Sequence, residues 1–138
     1  MNHQKRYIPW EAYGQSKLAN LLFGFELSRR LQDCGAAALS TVAHPGFTST
    51  AITRQSWWMP SLTPLFGQNA NLGSWPTLRA ATDSSAEGGS YWGPRWFFEL
   101  WGAPVKVGSS RASRDSEAAS RLWELSEQLT GVSYLSNR

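Results

Sequence analysis

The sequence predicts an α/β fold, and three of its features support that prediction. Segments with helical and extended patterns alternate in the order helix, strand, helix, strand, helix, which is typical of α/β sheets. The run at 37–44, AALSTVAH, consists mostly of small apolar residues, as in a strand buried on both faces of a parallel sheet. The 138 residues, 41% of them hydrophobic and 17% charged, are typical of one globular domain.

The first helix is predicted over residues 10–33. Pro9 suits the first turn of a helix, where its missing N–H is not needed, and Gly35 suits the helix end. Arg29 and Arg30 fall in the last turns, where positive charge interacts favourably with the helix dipole. Apolar residues recur at helical spacing along this segment at Leu18, Leu21, Leu22 and Phe25.

Turn residues dominate the middle of the chain. The Pro45-Gly46 pair ends the strand at 37–44, and an aromatic-lined loop over 47–68 follows. A further helix is predicted over 69–83, in which Pro76 either introduces a kink or marks a new first turn.

The last third of the chain predicts one short strand and one helix. A turn, a very short strand and another turn are expected over 88–94, and the stretch from there to Gly108 is expected to be irregular. The helix over 113–130 is predicted to be capped by Ser113 and closed by Gly131. Its apolar stripe consists of Ala118, Leu122, Leu125 and Leu129. Because two strands do not make a stable sheet, we expect the chain to be part of a larger one.

Two side chains at helical spacing suggest proton chemistry. Tyr13 and Lys17 are four residues apart and therefore share one face of the first helix. A carbonyl reduced by hydride needs a proton on its oxygen, and a tyrosine phenol is able to supply it, although phenols ordinarily ionise only near pH ~10. A nearby ammonium favours the phenolate and brings proton transfer closer to neutral pH. Taken alone, the pair also fits a surface tyrosine packed along a lysine stem.

The residues around this pair resemble a known family. The segment AYGQSKLAN over 12–20 is similar to the active-site helix of short-chain dehydrogenases/reductases, in particular the retinol-dehydrogenase-like and protochlorophyllide-reductase-like branch. His44-Pro45-Gly46 with Thr50 resembles the family's Pro-Gly turn after a buried strand. The resemblance extends to Gly131 and corresponds to the C-terminal half of such an enzyme. It implies the C-terminal part of a Rossmann-type doubly wound parallel sheet, with the N-terminal dinucleotide-binding half absent, so that 1–138 form a partial domain.

The resemblance also implies roles for the catalytic and cofactor-binding residues. Tyr13 is expected to donate or accept the proton, and Lys17 is expected to bind the nicotinamide ribose and tune Tyr13. The Pro45-Gly46 turn is expected to face the nicotinamide of NAD or NADP. Thr48 and Thr50 are candidates for bonds to its carboxamide.

The expected substrate is a small-molecule alcohol or carbonyl compound. The resemblance makes the loop over 47–68 the substrate-binding loop. Four aromatic residues of this loop are expected to form an apolar pocket, which suits a bulky apolar substrate: Phe47, Trp57, Trp58 and Phe66. Eight tryptophans in the chain leave two interpretations open, namely core and pocket wall, or an exposed patch for an apolar substrate or a membrane surface.

The sequence departs from the family in the cofactor site. None of its 12 glycines lie two residues apart, so it contains neither G-x-x-x-G-x-G nor G-x-G-x-x-G, the motifs that cradle a pyrophosphate. Residues 1–12 also contain no serine to act as the family's upstream catalytic serine. The alternative is therefore a catalytically incompetent remnant that acts only through protein association, including homo-oligomers formed through helices.

Composition argues against several other function classes. The formal net charge of +3 comes from scattered arginines, so no basic stripe for nucleic acid is expected. The chain has a single cysteine, Cys34, and only two histidines, so no metal motif is expected. No apolar run reaches the ~20 residues that a bilayer requires. We expect no transmembrane segment and a cytoplasmic location.

Overall fold

The computed structural model describes residues 7–46, 70–133 and 135. These belong to two compact units, one formed by the stretches 1–40 and 109–138 and the other by 41–108. Helices and a three-stranded sheet confirm the predicted α/β class. The described elements, in chain order, are α1 (Pro9–Asp33), β1 (Val42–Ala43), α2 (Ala70–Gly73), α3 (Trp75–Thr82), β2 (Tyr91–Trp96), β3 (Trp101–Lys106), a 3₁₀ turn (Arg111–Arg114) and α4 (Ser116–Thr130).

In the first unit, α1 packs against α4. Trp123 of α4 is only 1% exposed, and its ring stacks on Phe23 of α1 with centroids 4.9 Å apart. Ala119 is buried one turn earlier, whereas Leu125 and Leu129 are 42% and 77% exposed. The predicted stripe is therefore wrong as a core face, because the buried face of α4 lies one residue further along.

The start of α4 also differs from the prediction. The carboxylate of Asp115 accepts hydrogen bonds from the backbone N–H groups of Glu117 and Ala118, both at 3.0 Å, so Asp115 is the cap and the helix begins at Ser116. Ser113 lies instead in the preceding 3₁₀ turn, where its hydroxyl donates to the carbonyl of Ser110 at 2.7 Å.

In the second unit, the sheet has the order β1-β2-β3, with β1 and β2 parallel and β2 and β3 antiparallel. The predicted strand over 37–44 is reduced to Val42–Ala43, which pair with Tyr91 and Trp92. The backbone N–H of His44 still donates to the carbonyl of Trp92 at 2.9 Å. Pairing with the parallel strand β2 begins only at Val42, so residues 37–41 of the predicted strand remain outside the sheet.

The stretch from 91 to 108, predicted to be largely irregular, is a β-hairpin. Pro94 and Pro104 are partners in its register, so the two missing N–H donors fall at one position of the ladder. The sequence therefore contains proline at positions that would usually argue against a strand, and this explains why pattern analysis missed β3.

The turn of this hairpin has an unusual backbone. Phe97, Phe98 and Glu99 have φ values of 50°, 54° and 63°, all in the left-handed region. For residues other than glycine, a left-handed helical conformation costs roughly 1–2 kcal/mol each. The N–H of Leu100 closes the turn by donating to the carbonyls of Trp96 and Phe97, each at 3.1 Å.

The helix predicted over 69–83 divides at Ser74 into α2 and α3, and Pro76 lies in the first turn of α3. Proline thus marks a new first turn, one of the two outcomes expected from its position. Helix α3 is held against the sheet by Arg79, whose Nη1 donates to the carbonyl of Pro104 at 3.0 Å.

Candidate active site

Tyr13 and Lys17 lie together on one face of α1. The Nζ atom of Lys17 is 5.3 Å from the centroid of the Tyr13 ring, within the distance at which a cation is attracted to an aromatic face. The four-residue spacing on a continuous helix brings the two side chains together. Tyr13 is 44% exposed, so its side chain is accessible to solvent.

Neighbouring residues on α1 shape the surroundings of Tyr13. The ring of Trp10 meets the Tyr13 ring edge to face, with centroids 6.2 Å apart. The Ser16 hydroxyl donates to the backbone carbonyl of Tyr13 at 2.7 Å and is therefore engaged with the helix. A Cβ placed on Gly14 would meet nothing within 4 Å apart from its chain neighbours and the helix backbone, so the space over Gly14 is open.

The Pro45-Gly46 bend follows β1 in the second unit. Gly46 has φ of +68°, a conformation that favours glycine. A Cβ at this position would also lie 2.4 Å from the carbonyl oxygen of Leu100, so the bend fits against the hairpin only without a side chain.

His44 links this bend to the hairpin turn. Its Nε2 atom lies 3.0 Å from Oε2 of Glu99, and its Nδ1 atom accepts the N–H of Gly46 at 3.3 Å. The centroid of the Tyr91 ring lies 5.1 Å from the centroid of the His44 imidazole. Burial, and then the negative charge of Glu99, raise the pKa of the Tyr91 phenol above its usual value, so this tyrosine stays protonated at neutral pH.

The sequence-predicted site residues have different outcomes. Tyr13 and Lys17 lie together in the first unit, and Pro45 and Gly46 lie together in the second. Six predicted residues lie outside the described residues: Phe47, Thr48, Thr50, Trp57, Trp58 and Phe66. Glu99 and Tyr91 were missed. Tyr91 is brought to His44 by the parallel pairing of β1 with β2, and Glu99 is brought there by the turn of the hairpin, which the sequence pattern did not predict.

A cavity of about 680 Å³ lies between α1 and α4. Its lining combines leucines of both helices with the polar side chains of Gln15, Ser16 and Arg121, and neither Tyr13 nor Lys17 contributes to it. The predicted stripe on α4 therefore faces this cavity in part, which explains why Leu125 is not buried.

The residues that the structure describes contain neither a membrane-spanning helix nor a cluster of metal-ligating side chains. None of the helices in the ranges 7–46 and 70–133 is long and apolar enough to cross a membrane. Within the same ranges, no three histidine, cysteine, aspartate or glutamate side chains lie close enough together to hold a metal ion.

Comparison with known proteins identifies relatives over nearly the whole chain. No family model matches. Retinol dehydrogenase 12 of Mus musculus is 38% identical over 136 residues, which cover 95% of this chain and 40% of that protein. Polyprenol dehydrogenase of Mus musculus is 32% identical over 131 residues, which cover 91% of this chain and 37% of that protein. The chain therefore spans about two-fifths of the length of these relatives.

A solved structure agrees with these relatives. An uncharacterized protein from Mycobacterium paratuberculosis matches with a TM-score of 0.76 and 40% identity, over 96% of this chain and 43% of that one. The relatives are oxidoreductases of one family, and the resemblance found in the sequence is confirmed. This chain belongs to the short-chain dehydrogenase/reductase family.

Proposed function

We propose that this chain carries the proton-transfer residues of a nicotinamide-dependent oxidoreductase that interconverts an alcohol and a carbonyl compound. The observation that carries the proposal is the placement of the Lys17 ammonium 5.3 Å from the Tyr13 ring on an open face of α1. The relatives of this chain are oxidoreductases, and this supports a redox reaction as the class of chemistry.

In this reaction, Tyr13 gives its phenol proton to the carbonyl oxygen as hydride arrives at the carbon, and takes the proton back in the direction of alcohol oxidation. Lys17 stabilises the phenolate that is left behind, because its positive charge lies beside the ring. Trp10, packed edge to face against Tyr13, limits the movement of the phenol.

NAD or NADP supplies the hydride when bound. Tyr13 and Lys17 are both exposed, and the ammonium donors of Lys17 suit the hydroxyls of a ribose, which supports binding of the nicotinamide end of the cofactor at this face of α1. Lys17 would hold the ribose, and the Pro45-Gly46 bend would face the nicotinamide together with Thr48 and Thr50. The sequence contains no glycine-rich motif for the pyrophosphate, so any binding by this chain alone would depend on the nicotinamide end.

The proposed substrate is a bulky apolar alcohol or aldehyde. Two relatives are named for the dehydrogenation of retinol and polyprenol, and this supports the assignment. Phe47, Trp57, Trp58 and Phe66 would form the apolar wall of the substrate pocket. The proposal includes a cytoplasmic location, which suits a chain with one unpaired cysteine.

Titration with NADPH and NADH, followed by tryptophan fluorescence, tests cofactor binding by the full chain. Cofactor oxidation with retinal as the probe substrate tests the reaction. Tyr13→Phe is expected to lower turnover by about 10²–10⁴-fold while leaving cofactor binding intact. Lys17→Ala is expected to lower turnover and to weaken cofactor binding. Tyr7→Phe, at an exposed tyrosine near the start of the same helix, is the matched control and should change neither.

Turnover that is unaffected by Tyr13→Phe would contradict the role of Tyr13. A chain that binds neither cofactor would favour the second candidate, a non-catalytic remnant that associates through its helices. The exposure of Leu125 and Leu129 on α4 favours that candidate. It predicts a concentration-dependent dimer in sedimentation experiments that Leu129→Ser weakens, and a chain that stays monomeric would contradict it.

A further inference from the structure

The bend after β1 is held by a histidine that forms hydrogen bonds in two directions. The N–H of Gly46 donates to Nδ1 of His44 at 3.3 Å, and Nε2 of the same ring lies 3.0 Å from Oε2 of Glu99. A backbone N–H only donates, so Nδ1 is the bare nitrogen of the neutral ring and Nε2 carries the proton that Glu99 accepts. The two contacts together select one tautomer of His44.

The bond between His44 and Gly46 braces the bend locally. Asparagine and aspartate stabilise turns by accepting the N–H two residues further on, and His44 does the same through Nδ1. The bend has little freedom to change shape, because Gly46 lies against Leu100 and Pro94 of the hairpin. A bend that opened would lose both this packing and its internal hydrogen bond.

Glu99 reaches His44 because residues of the hairpin turn have left-handed backbone conformations. Glu99 is the last of three consecutive non-glycine residues with positive φ. Such residues persist only where the surrounding structure holds them, and they occur often at functional positions. The imidazole also contacts Gly93, where a Cβ would lie 2.0 Å from Nε2, so the ring is confined between β2 and the Glu99 carboxylate.

We propose that His44 and Glu99 are positioning residues that hold the Pro45-Gly46 bend, His44 directly and Glu99 by orienting the His44 ring. Their importance for hydride transfer rests on the proposed function, in which this bend faces the nicotinamide. The hairpin turn over 97–100 thereby becomes part of the site, although Glu99 is 55 residues from His44 in sequence.

Hydrogen exchange at the Gly46 amide, measured by NMR on the isotope-labelled full chain, tests this proposal. Glu99→Ala is expected to accelerate that exchange by about fivefold, the equivalent of one lost hydrogen bond. Glu87→Ala removes an exposed carboxylate of the same unit, paired with Lys106, and should leave the exchange unchanged. It is the matched control.

A double variant separates the route by which Glu99 acts. His44→Asn keeps an acceptor for the Gly46 N–H but is too short to reach Glu99, so adding Glu99→Ala to it should have no further effect. Equal acceleration in both backgrounds would show that Glu99 acts through its own loop backbone and would overturn its proposed role.

The unaltered chain provides a test that does not depend on variants that fold. The nitrogen spectrum of the neutral His44 ring should place the proton on Nε2, and a proton on Nδ1 would overturn the positioning role of both residues. NADPH titration of the same samples keeps the two proposals apart. A chain with the expected tautomer and exchange rates that binds no cofactor would contradict the proposed function while supporting the inference about the bend.

Discussion

The buried carboxylate of Glu26 accepts a hydrogen bond from Nε of Arg30 at 2.7 Å, one turn further along α1. Glu26 is 1% exposed, and Arg29 pairs with its second oxygen. Arg29 also donates to the hydroxyl of Ser120 at 3.1 Å, and the Arg30 guanidinium lies 4.7 Å from the Trp123 ring. One buried charge is therefore compensated by two arginines that at the same time fasten α1 to α4.

Replacing Glu26 by alanine is expected to destabilise the chain by about 3 kcal/mol, because two arginines lose their partner inside the α1–α4 contact. Glu26→Gln keeps the shape and should cost less. Unfolding in urea, followed by circular dichroism, measures both. Glu117→Gln, in an exposed pair of the same i, i+4 type with Arg121, is the control and should have little effect. Equal losses at Glu26 and Glu117 would contradict this assignment.

Trp123→Ala is expected to cost about 3–5 kcal/mol, because it removes the largest fully buried side chain among the described residues and leaves a void against Phe23. Leu129→Ala, on the same helix but 77% exposed, should stay within about 0.5 kcal/mol of the unaltered chain. The two variants together identify the buried face of α4 by denaturant midpoint. A larger loss of stability for Leu129→Ala than for Trp123→Ala would show that the stripe predicted from the sequence is the buried face after all.

Asp115→Ala is expected to destabilise α4 by about 1 kcal/mol, because two backbone N–H groups in its first turn lose their acceptor. Asp115→Asn should retain most of that stability. The neighbouring exposed Ser116→Ala serves as the control and should change little. Thermal unfolding checks the series, and a loss from Ser116→Ala as large as that from Asp115→Ala would argue against the cap.

Asp83 predicts a pH dependence of stability. Hydrogen bonds from the Ser85 hydroxyl and backbone, followed by that from Arg79, lower the pKa of Asp83 from 3.8 to about 2. The unfolded chain binds this proton more readily than the folded one, so the ionised carboxylate stabilises the fold above pH 3.8 and this stabilisation is lost as the pH falls to about 2.

Asp83→Asn therefore should lower the urea midpoint at neutral pH, and the difference from the unaltered chain should shrink as the pH falls through that window. A difference between the two chains that stays constant down to pH 2 would contradict the hydrogen bonds as its source.

Local patterns were sufficient for the features that depend on neighbouring residues. The start of α1 at Pro9, the new first turn at Pro76 and the closure of α4 by Gly131, with φ of +68°, all follow from the backbone preferences of single residues. The proximity of Tyr13 and Lys17 follows from the repeat of one helix. The choice of Asp115 over Ser113 as the cap does not follow from local preferences, because both residue types suit that position. The 3₁₀ turn that contains Ser113 decides between them.

The sequence by itself determined the α/β class, the family resemblance and the one helical face on which Tyr13 and Lys17 meet. Only the tertiary structure decided that proline-rich segments pair as β2 and β3, that Trp123 rather than Leu125 is buried, and that Glu99 contacts His44. The physical reason is distance along the chain. Side chains four residues apart meet through the geometry of a single helix, whereas side chains 55 residues apart meet only when strand register and a strained turn place them together.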